Sequence, residues 1–295
     1  MNKGTWHALG AYVSWGFFPI YFKWLSDIPA LQLIGHRIVW SCLMLCGILL
    51  LTRQWTAFRA QSRNPRVLAI YLAAAILIGI NWLVFVWAIN ADRVIEISLG
   101  YFISPIVNVL MGVLFLRERL RVWQWLAIGL AAAGVLYLSY TYSALPWIAI
   151  ALALSFGIYG LVKKFAPLGS LKGMSLETAI LFLPALVYLL YCDETGQDGF
   201  LYGGVAADML LVGSGLLTAI PLLLFASASQ RIPLWQLGIL QYIAPMLQFL
   251  LGTLIYKEPF THAQLGGFAL IWTALIIFAV ENFLIGRVQA AATEA

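Results

Sequence analysis

Long apolar runs separated by short polar segments dominate the pattern of this 295-residue chain. A helix that crosses a lipid bilayer needs roughly 17–25 mostly apolar residues. Runs of about that length span residues 6–25, 33–52, 67–89, 95–116, 122–140, 145–162, 174–191, 208–228, 235–256 and 264–286. We therefore predict an all-α membrane protein with ten transmembrane helices.

The connections between these runs are short. Only Asn90 to Val94 separate the third run from the fourth, and Arg117 to Arg121 separate the fourth from the fifth. Such loops leave no room for a soluble domain, so we predict one transmembrane domain over residues 1–295. The first run is as long as a spanning helix and lacks a clear cleavage site, so we interpret it as the first span rather than a signal peptide.

Composition supports a bilayer as the solvent. The chain is 63% hydrophobic and 10% charged, whereas an ordinary soluble domain carries about 25% charged residues. The net charge is +5, and the Lys and Arg residues lie mostly in short loops between apolar runs, which argues against nucleic-acid binding. With the amino terminus inside, 13 of the 17 Lys and Arg residues fall on the inner side and 3 on the outer side, so both termini are predicted to be cytoplasmic.

Two halves of the chain match weakly but in register, at a shift of 140 or 141 residues. The matched sets are Pro105, Gly112 and Glu118 with Pro245, Gly252 and Glu258. We predict two repeats, residues 6–140 and 145–286, each with five spans. Because five is odd, the second repeat is inverted relative to the first, and inverted repeats around a central cavity are a recurring transporter design.

Polar and aromatic residues deep in the spans are candidates for substrate binding, since a polar group in lipid must find a partner or line a cavity. The candidates are Trp15, Asn81, Trp82, Tyr101, Asn108, Tyr159, Gln241, Tyr242 and Gln248. The alternative is that a buried Asn or Gln bonds a neighbouring helix instead of a ligand.

Ionisable residues and prolines in the spans are candidates for gating or coupling: Lys23, His36, Arg37, Glu96, Pro105, Glu177 and Pro245. Snorkelling to water or mutual ion pairing is the simpler explanation for the charged ones. The alternatives are an outer gate, or anion recognition by Lys23 and Arg37, and protonation of His36 or Glu177 in a proton-coupled cycle. Glu118 is predicted to cap or pair with a neighbouring loop.

The sequence contains no motif that indicates an enzyme. The three histidines are not at metal-ligand spacing, the three cysteines do not form a disulfide or metal pattern, and no phosphate-binding loop occurs. We therefore expect no metal, no cofactor and no catalytic residues. The expected partners are a small-molecule substrate and the lipid bilayer.

Small residues in the fifth and tenth spans predict close helix packing at the periphery or, alternatively, a homodimer: Gly129, Gly134, Gly266 and Gly267.

Two segments, FLRERLRVWQWLAIGLAAAGV at 115–135 and IYKEPFTHAQLGGFALIWTALIIF at 255–278, resemble the helix-end glutamate and small-residue helix of EamA-type transporters. These transporters belong to the drug/metabolite transporter superfamily. HRIVWS at 36–41 and EISLGYFISPIVN at 96–108 are similar to the RarD subfamily. The resemblance implies ten helices in inverted repeats, a bacterial inner-membrane location, and a secondary carrier, commonly an exporter of metabolites or drugs. An uncoupled facilitator, an uptake carrier or a non-transporting membrane protein are the alternatives.

Overall fold

The computed structural model describes residues 2–91, 93–141, 147–196, 200–201, 204–257, 265–267 and 269–281, and every regular element in these ranges is helical. The helices are α1 Lys3–Gly16, α2 Phe18–Lys23, α3 Ala30–Leu51, α4 Trp55–Ser62, α5 Pro65–Asn90, α6 Val94–Leu116, α7 Val122–Thr141, α8 Trp147–Phe165, α9 Ser170–Glu194, α10 Val205–Ser229, α11 Leu234–Gln241 and α12 Ile243–Leu250. A π-helical turn, Leu251–Ile255, continues α12. A further apolar helix, here called the C-terminal helix, spans Leu265–Glu281.

Eight of these segments are long and apolar enough to cross a membrane, namely α3, α5 to α10, and the stretch Leu234–Ile255 that comprises α11, α12 and the π-helical turn. The prediction of an all-helical, multi-pass membrane protein is therefore confirmed. The count of ten stays a prediction. The two remaining predicted spans correspond to α1 with α2 and to the C-terminal helix, neither of which meets the same length criterion.

Two predicted spans are broken rather than continuous. The first divides at Phe17 into α1 and α2, and the ninth divides at Tyr242 into α11 and α12. A proline follows each break, Pro19 in the first turn of α2 and Pro245 in α12. A proline removes a backbone donor and disfavours the helical conformation of the residue before it. Pro105, by contrast, lies inside the uninterrupted α6.

Three helices, α3, α6 and α10, each pack against several other helices. The most extensive contacts join α6 to α8, α3 to α9 and α10, α1 to α10, and α11 to α6. On the periphery, α7 approaches the C-terminal helix closely. A Cβ atom at Gly134 would lie 2.9 Å from the carbonyl oxygen of Gly267, so the predicted close packing is found at these two residues but not at Gly129, where a Cβ atom would meet open space.

Glycine is also required where α10 crosses α3. A Cβ atom at Gly215 would lie 2.6 Å from the carbonyl carbon of Trp40 and 2.7 Å from the nitrogen of Ser41, both of them backbone atoms of α3. We expect Gly215→Ala to lower the free energy of unfolding by about 1–3 kcal/mol, because the two helices would have to separate. Thermal unfolding in detergent measures this change. Gly129→Ala is the matched control, since a Cβ there meets open space, and equal stability of the two variants would contradict the assignment.

Candidate functional site

A cavity of about 240 Å³ lies between the central helices, with walls from α1, α2, α3, α5, α6, α8, α10, α11 and α12. Six of the nine predicted substrate-binding residues line it: Trp15, Asn81, Trp82, Tyr101, Gln241 and Gln248. Arg37 and Pro245, predicted as gating or coupling residues, also line it. The structure thus brings together residues that are up to 233 positions apart in the chain. Their contact with a substrate stays a prediction.

The other three predicted substrate-binding residues lie outside the cavity lining. Tyr242 is buried and donates from its hydroxyl to the carbonyl oxygen of Phe102 at 3.1 Å. Tyr159 is fully buried and donates to Glu177 at 3.0 Å. Asn108 is also fully buried and joins α6 to α11, because its Nδ2 lies 2.5 Å from Oε1 of Gln241. Each of the three side chains is thus hydrogen bonded within the protein.

Most of the predicted gating or coupling residues also lie away from the cavity. The Lys23 ammonium nitrogen lies 3.7 Å from the centre of the Tyr256 ring. Glu96 accepts a hydrogen bond from Arg93 at 2.8 Å, and His36 is buried with its ring centroid 5.1 Å from that of Phe200. Lys23 is the last residue of α2, whereas His36 and Glu96 lie in the first two turns of α3 and α6.

Prolines free backbone acceptors beside the cavity. Pro19 lacks the N–H that would bond the carbonyl oxygen of Trp15, four residues earlier. The amide nitrogen Nε2 of Gln248 donates to that carbonyl oxygen at 3.0 Å. A side chain of α12 thus supplies the hydrogen bond that Pro19 cannot donate. Pro245 leaves the carbonyl of Gln241 without its helical partner in the same way.

The cavity-lining amides differ in how fully their hydrogen bonds are satisfied. Asn81 donates to the carbonyl oxygen of Leu152 and to Oγ of Ser155, both at 2.9 Å, so it bonds a neighbouring helix. Gln241 accepts from Asn108 but donates no hydrogen bond to the described part of the chain. Its NH₂ group is therefore available to the cavity, and Gln241 is better placed for a ligand than Asn81 or Gln248, whose NH₂ groups donate to Leu152 and Trp15.

A layer of aromatic rings forms the floor of the cavity. The rings of Tyr159 and Phe225 are stacked with their centroids 5.9 Å apart. The ring of Phe156 lies 5.2 Å from that of Phe225, and Tyr12 meets Phe225 edge to face at 6.4 Å. Tyr12 and Phe156 line the cavity, whereas Tyr159 and Phe225 are fully buried beneath it.

Beneath this layer lies a buried ion pair. The ammonium nitrogen of Lys163 on α8 lies 2.5 Å from Oε1 of Glu177 on α9, and each side chain is 1% exposed. Tyr159 donates to the other carboxylate oxygen. The predicted sixth span ended at residue 162 and so left Lys163 outside it, whereas α8 extends to Phe165 and Lys163 is buried. The available signal was Tyr159, four residues before Lys163 and already predicted to lie deep in the sixth span.

Glu118 fulfils the predicted capping role. Its two carboxylate oxygens accept hydrogen bonds from the backbone nitrogens of Leu234 at 2.9 Å and Trp235 at 3.0 Å. These are among the unpaired N–H groups at the start of α11. The corresponding Glu258 lies outside the described residues. Within the described ranges no group of three His, Cys, Asp or Glu side chains is placed to hold a metal ion.

The described part of the chain is thus that of a polytopic membrane protein, with eight apolar helices of spanning length and a cavity between its central helices. The profile of the EamA-like transporter family matches residues 2–140. The chain belongs to this family and is a RarD-type member of the drug/metabolite transporter superfamily.

Relatives cover nearly the whole chain. The "Uncharacterized transporter YojE" of Bacillus subtilis is 44% identical over 285 residues, which is 95% of either chain. "Protein RarD" of Streptomyces exfoliatus is 43% identical over 294 residues, 100% of this chain and 93% of the relative. The "Chloramphenicol-sensitive protein RarD" of Pseudomonas aeruginosa is 31% identical over 98% of this chain and 97% of its own.

The fold is also similar to a solved crystal structure. The two superpose with a TM-score of 0.71 over 94% of this chain and 97% of the other, at 19% sequence identity. This likeness concerns the fold alone.

Proposed function

We propose that this protein is a secondary transporter that moves small metabolites or drug-like solutes by alternating access, with the central cavity as the substrate site. The observation that carries the proposal is the cavity at the junction of both halves of the chain, closed on one side by the aromatic floor and the Lys163–Glu177 pair. An alternating carrier needs such a site with one side sealed at a time.

The packing of the helices supports an inverted repeat over residues 6–140 and 145–286. If spans one to five correspond to spans six to ten, each contact between halves should have a counterpart. The contact of α1 with α10 corresponds to that of α5 with α8, and α1 with α12 corresponds to α6 with α8. The contact of α3 with α10 corresponds to that of α5 with α9. All of these contacts are present.

A second feature supports the same repeat. Arg117, at the end of α6, has φ 54°, and Lys257, 140 residues later, has φ 53°. Non-glycine residues rarely adopt this left-handed conformation. Finding it at matched positions agrees with two copies of one ancestral helix end.

We place the protein in the bacterial inner membrane with both termini cytoplasmic. The Arg-rich segment around α4 would then face the cytoplasm, as positively charged loops do. The cavity side that holds Phe22, Arg37 and Tyr101 would face outwards.

We propose export as the direction of transport. Comparison of the flux with and without a pH gradient decides whether transport is coupled to protons.

The test is solute flux in proteoliposomes. Loss of one hydrogen-bonding group in the cavity should cost about 0.5–1.5 kcal/mol of binding, or roughly two- to tenfold in flux at low solute concentration. We expect this loss for Tyr101→Ala and for Gln241→Ala. Tyr140→Ala, on an exposed position of α7, is the matched control and should transport normally. Folded protein that moves no solute of a broad panel would refute the proposal, and full flux in both cavity variants would refute the site.

A further inference from the structure

Arg37 places a positive charge in the wall of the cavity, near the start of α3. None of the described carboxylates lines the cavity, and none forms an ion pair with Arg37. An unpaired cation at membrane depth is costly, and charged residues there mark substrate or ion pathways. The charge on Arg37 therefore requires an explanation in terms of function.

The guanidinium group is held in a fixed position. Its Nε donates to Oγ1 of Thr218 at 2.9 Å, and Thr218 in turn donates to the carbonyl oxygen of Ser214 at 2.8 Å. The guanidinium carbon lies 5.1 Å from the ring centre of Phe22 and 5.3 Å from that of Trp82. Such ring faces stabilise a cation without neutralising it.

The remaining donors of Arg37 are free to bind a ligand. Nε is used by Thr218, whereas the two terminal nitrogens have no acceptor in the described part of the chain. Two parallel N–H groups of a guanidinium match the two oxygens of a carboxylate, sulfonate or phosphate. A ligand with such a group would neutralise the charge, while a cationic ligand would be repelled in this low-dielectric site.

The rest of the cavity is mainly apolar and aromatic. Trp15, Phe85 and Phe156 contribute rings to its walls, and the NH₂ group of Gln241 is a neutral polar contact. A volume of about 240 Å³ is far larger than the space that one water molecule needs. It suits a single-ring organic molecule.

The geometry points to a substrate class: a small organic anion with a planar or tetrahedral oxyanion group bound by Arg37 and an aromatic or apolar body against the ring-lined walls. This inference rests on the proposed transport function and names its substrate. The Lys23 ammonium group lies over Tyr256 and outside the cavity lining. Of the two cations that the sequence suggested for anion recognition, Arg37 is the one in contact with the cavity.

The test uses three probes with one skeleton: 2-phenylethanesulfonate, 3-phenylpropionate and the neutral 3-phenylpropionamide. Binding to the purified full-length protein is followed by quenching of tryptophan fluorescence, since Trp15 and Trp82 line the cavity. We expect the two anions to bind at least tenfold more tightly than the amide. Arg37→Gln should abolish this preference, whereas Arg37→Lys should retain it at lower affinity. Arg59→Gln, at an exposed position of α4, is the matched control and should behave like the unchanged protein.

Equal binding of the amide, no binding of either anion to folded protein, or an unchanged preference in Arg37→Gln would overturn the inference. Proteoliposome flux of the same probes, together with a neutral and a cationic solute panel, separates this failure from that of the proposed function. If neutral or cationic solutes move and the anions do not, only the substrate class is wrong. If no solute moves at all, the transport proposal itself fails.

Discussion

Glu177→Gln is expected to destabilise this protein more than any other single change considered above. The substitution leaves the Lys163 ammonium group buried, with its carboxylate partner removed. Removal of one member of a buried ion pair typically costs about 3–5 kcal/mol, because the remaining charge stays without water or a counter-ion. We expect a loss of this size in the free energy of unfolding, measured by thermal or denaturant unfolding in detergent.

The double variant Lys163→Met with Glu177→Gln tests the cause. Because it removes both charges and roughly preserves volume, it should recover most of the lost stability. Glu194→Gln, at an exposed position near the end of α9, is the control and should be close to neutral. If the double variant were as unstable as the single one, the loss would not arise from the unpaired lysine.

Glu118→Ala is expected to have the second largest effect. It removes the acceptors of two backbone N–H groups at the start of α11. A hydrogen bond to a charged group contributes about 1.5–3 kcal/mol. Because Glu118 is half-exposed, water can replace part of the lost bonding, so we expect a loss of about 3 kcal/mol, at the lower end for two such bonds.

Glu118→Gln distinguishes the hydrogen bonds that Glu118 accepts at the start of α11 from the effect of its negative charge. One amide oxygen still accepts from the helix end but the negative charge is gone, so the loss should be intermediate. Arg119→Ala changes the exposed neighbouring residue and should leave stability unchanged. Equal stability of Glu118→Ala and Arg119→Ala would show that the two backbone contacts of Glu118 contribute nothing.

The spanning helices were largely predictable because their signal is local. Each needs a run of apolar residues long enough to cross the bilayer, and that length is read directly from the sequence. The breaks at Phe17 and Tyr242 were harder to predict. A helix can continue through a proline, as α6 does through Pro105, so the break depends on tertiary partners such as Gln248, which bonds the carbonyl freed in α1.

The candidate site was predictable only in part, for a similar reason. Residue type and depth indicated Arg37, Asn81 and Gln241, but they do not reveal which side of a helix faces the cavity. Asn108 and Gln241 are hydrogen bonded to each other, yet Gln241 lines the cavity and Asn108 does not.

Thr218 in the cavity wall was not predicted from the sequence, and Lys163, which lies beneath the cavity floor, was placed outside the spans. Thr218 resembles any other small residue in an apolar helix, and its role became visible only through its contact with Arg37, 181 positions away. Lys163 fell just outside the predicted span 145–162, where a lysine usually reaches water. Its ion pair with Glu177, 14 residues later on α9, overrides that tendency here.

The most direct test of alternating access is the side from which the cavity can be reached. In a variant with Cys42, Cys46 and Cys192 replaced by alanine, Asn81→Cys places one thiol in the cavity wall. A membrane-impermeant maleimide is then applied to right-side-out or inside-out vesicles, with Arg59→Cys as a one-sided control on α4. We predict that the cavity cysteine reacts from either side while the control reacts only from the cytoplasmic side. Reaction of Asn81→Cys from one side alone, or from neither, would contradict a cavity that alternates across the membrane.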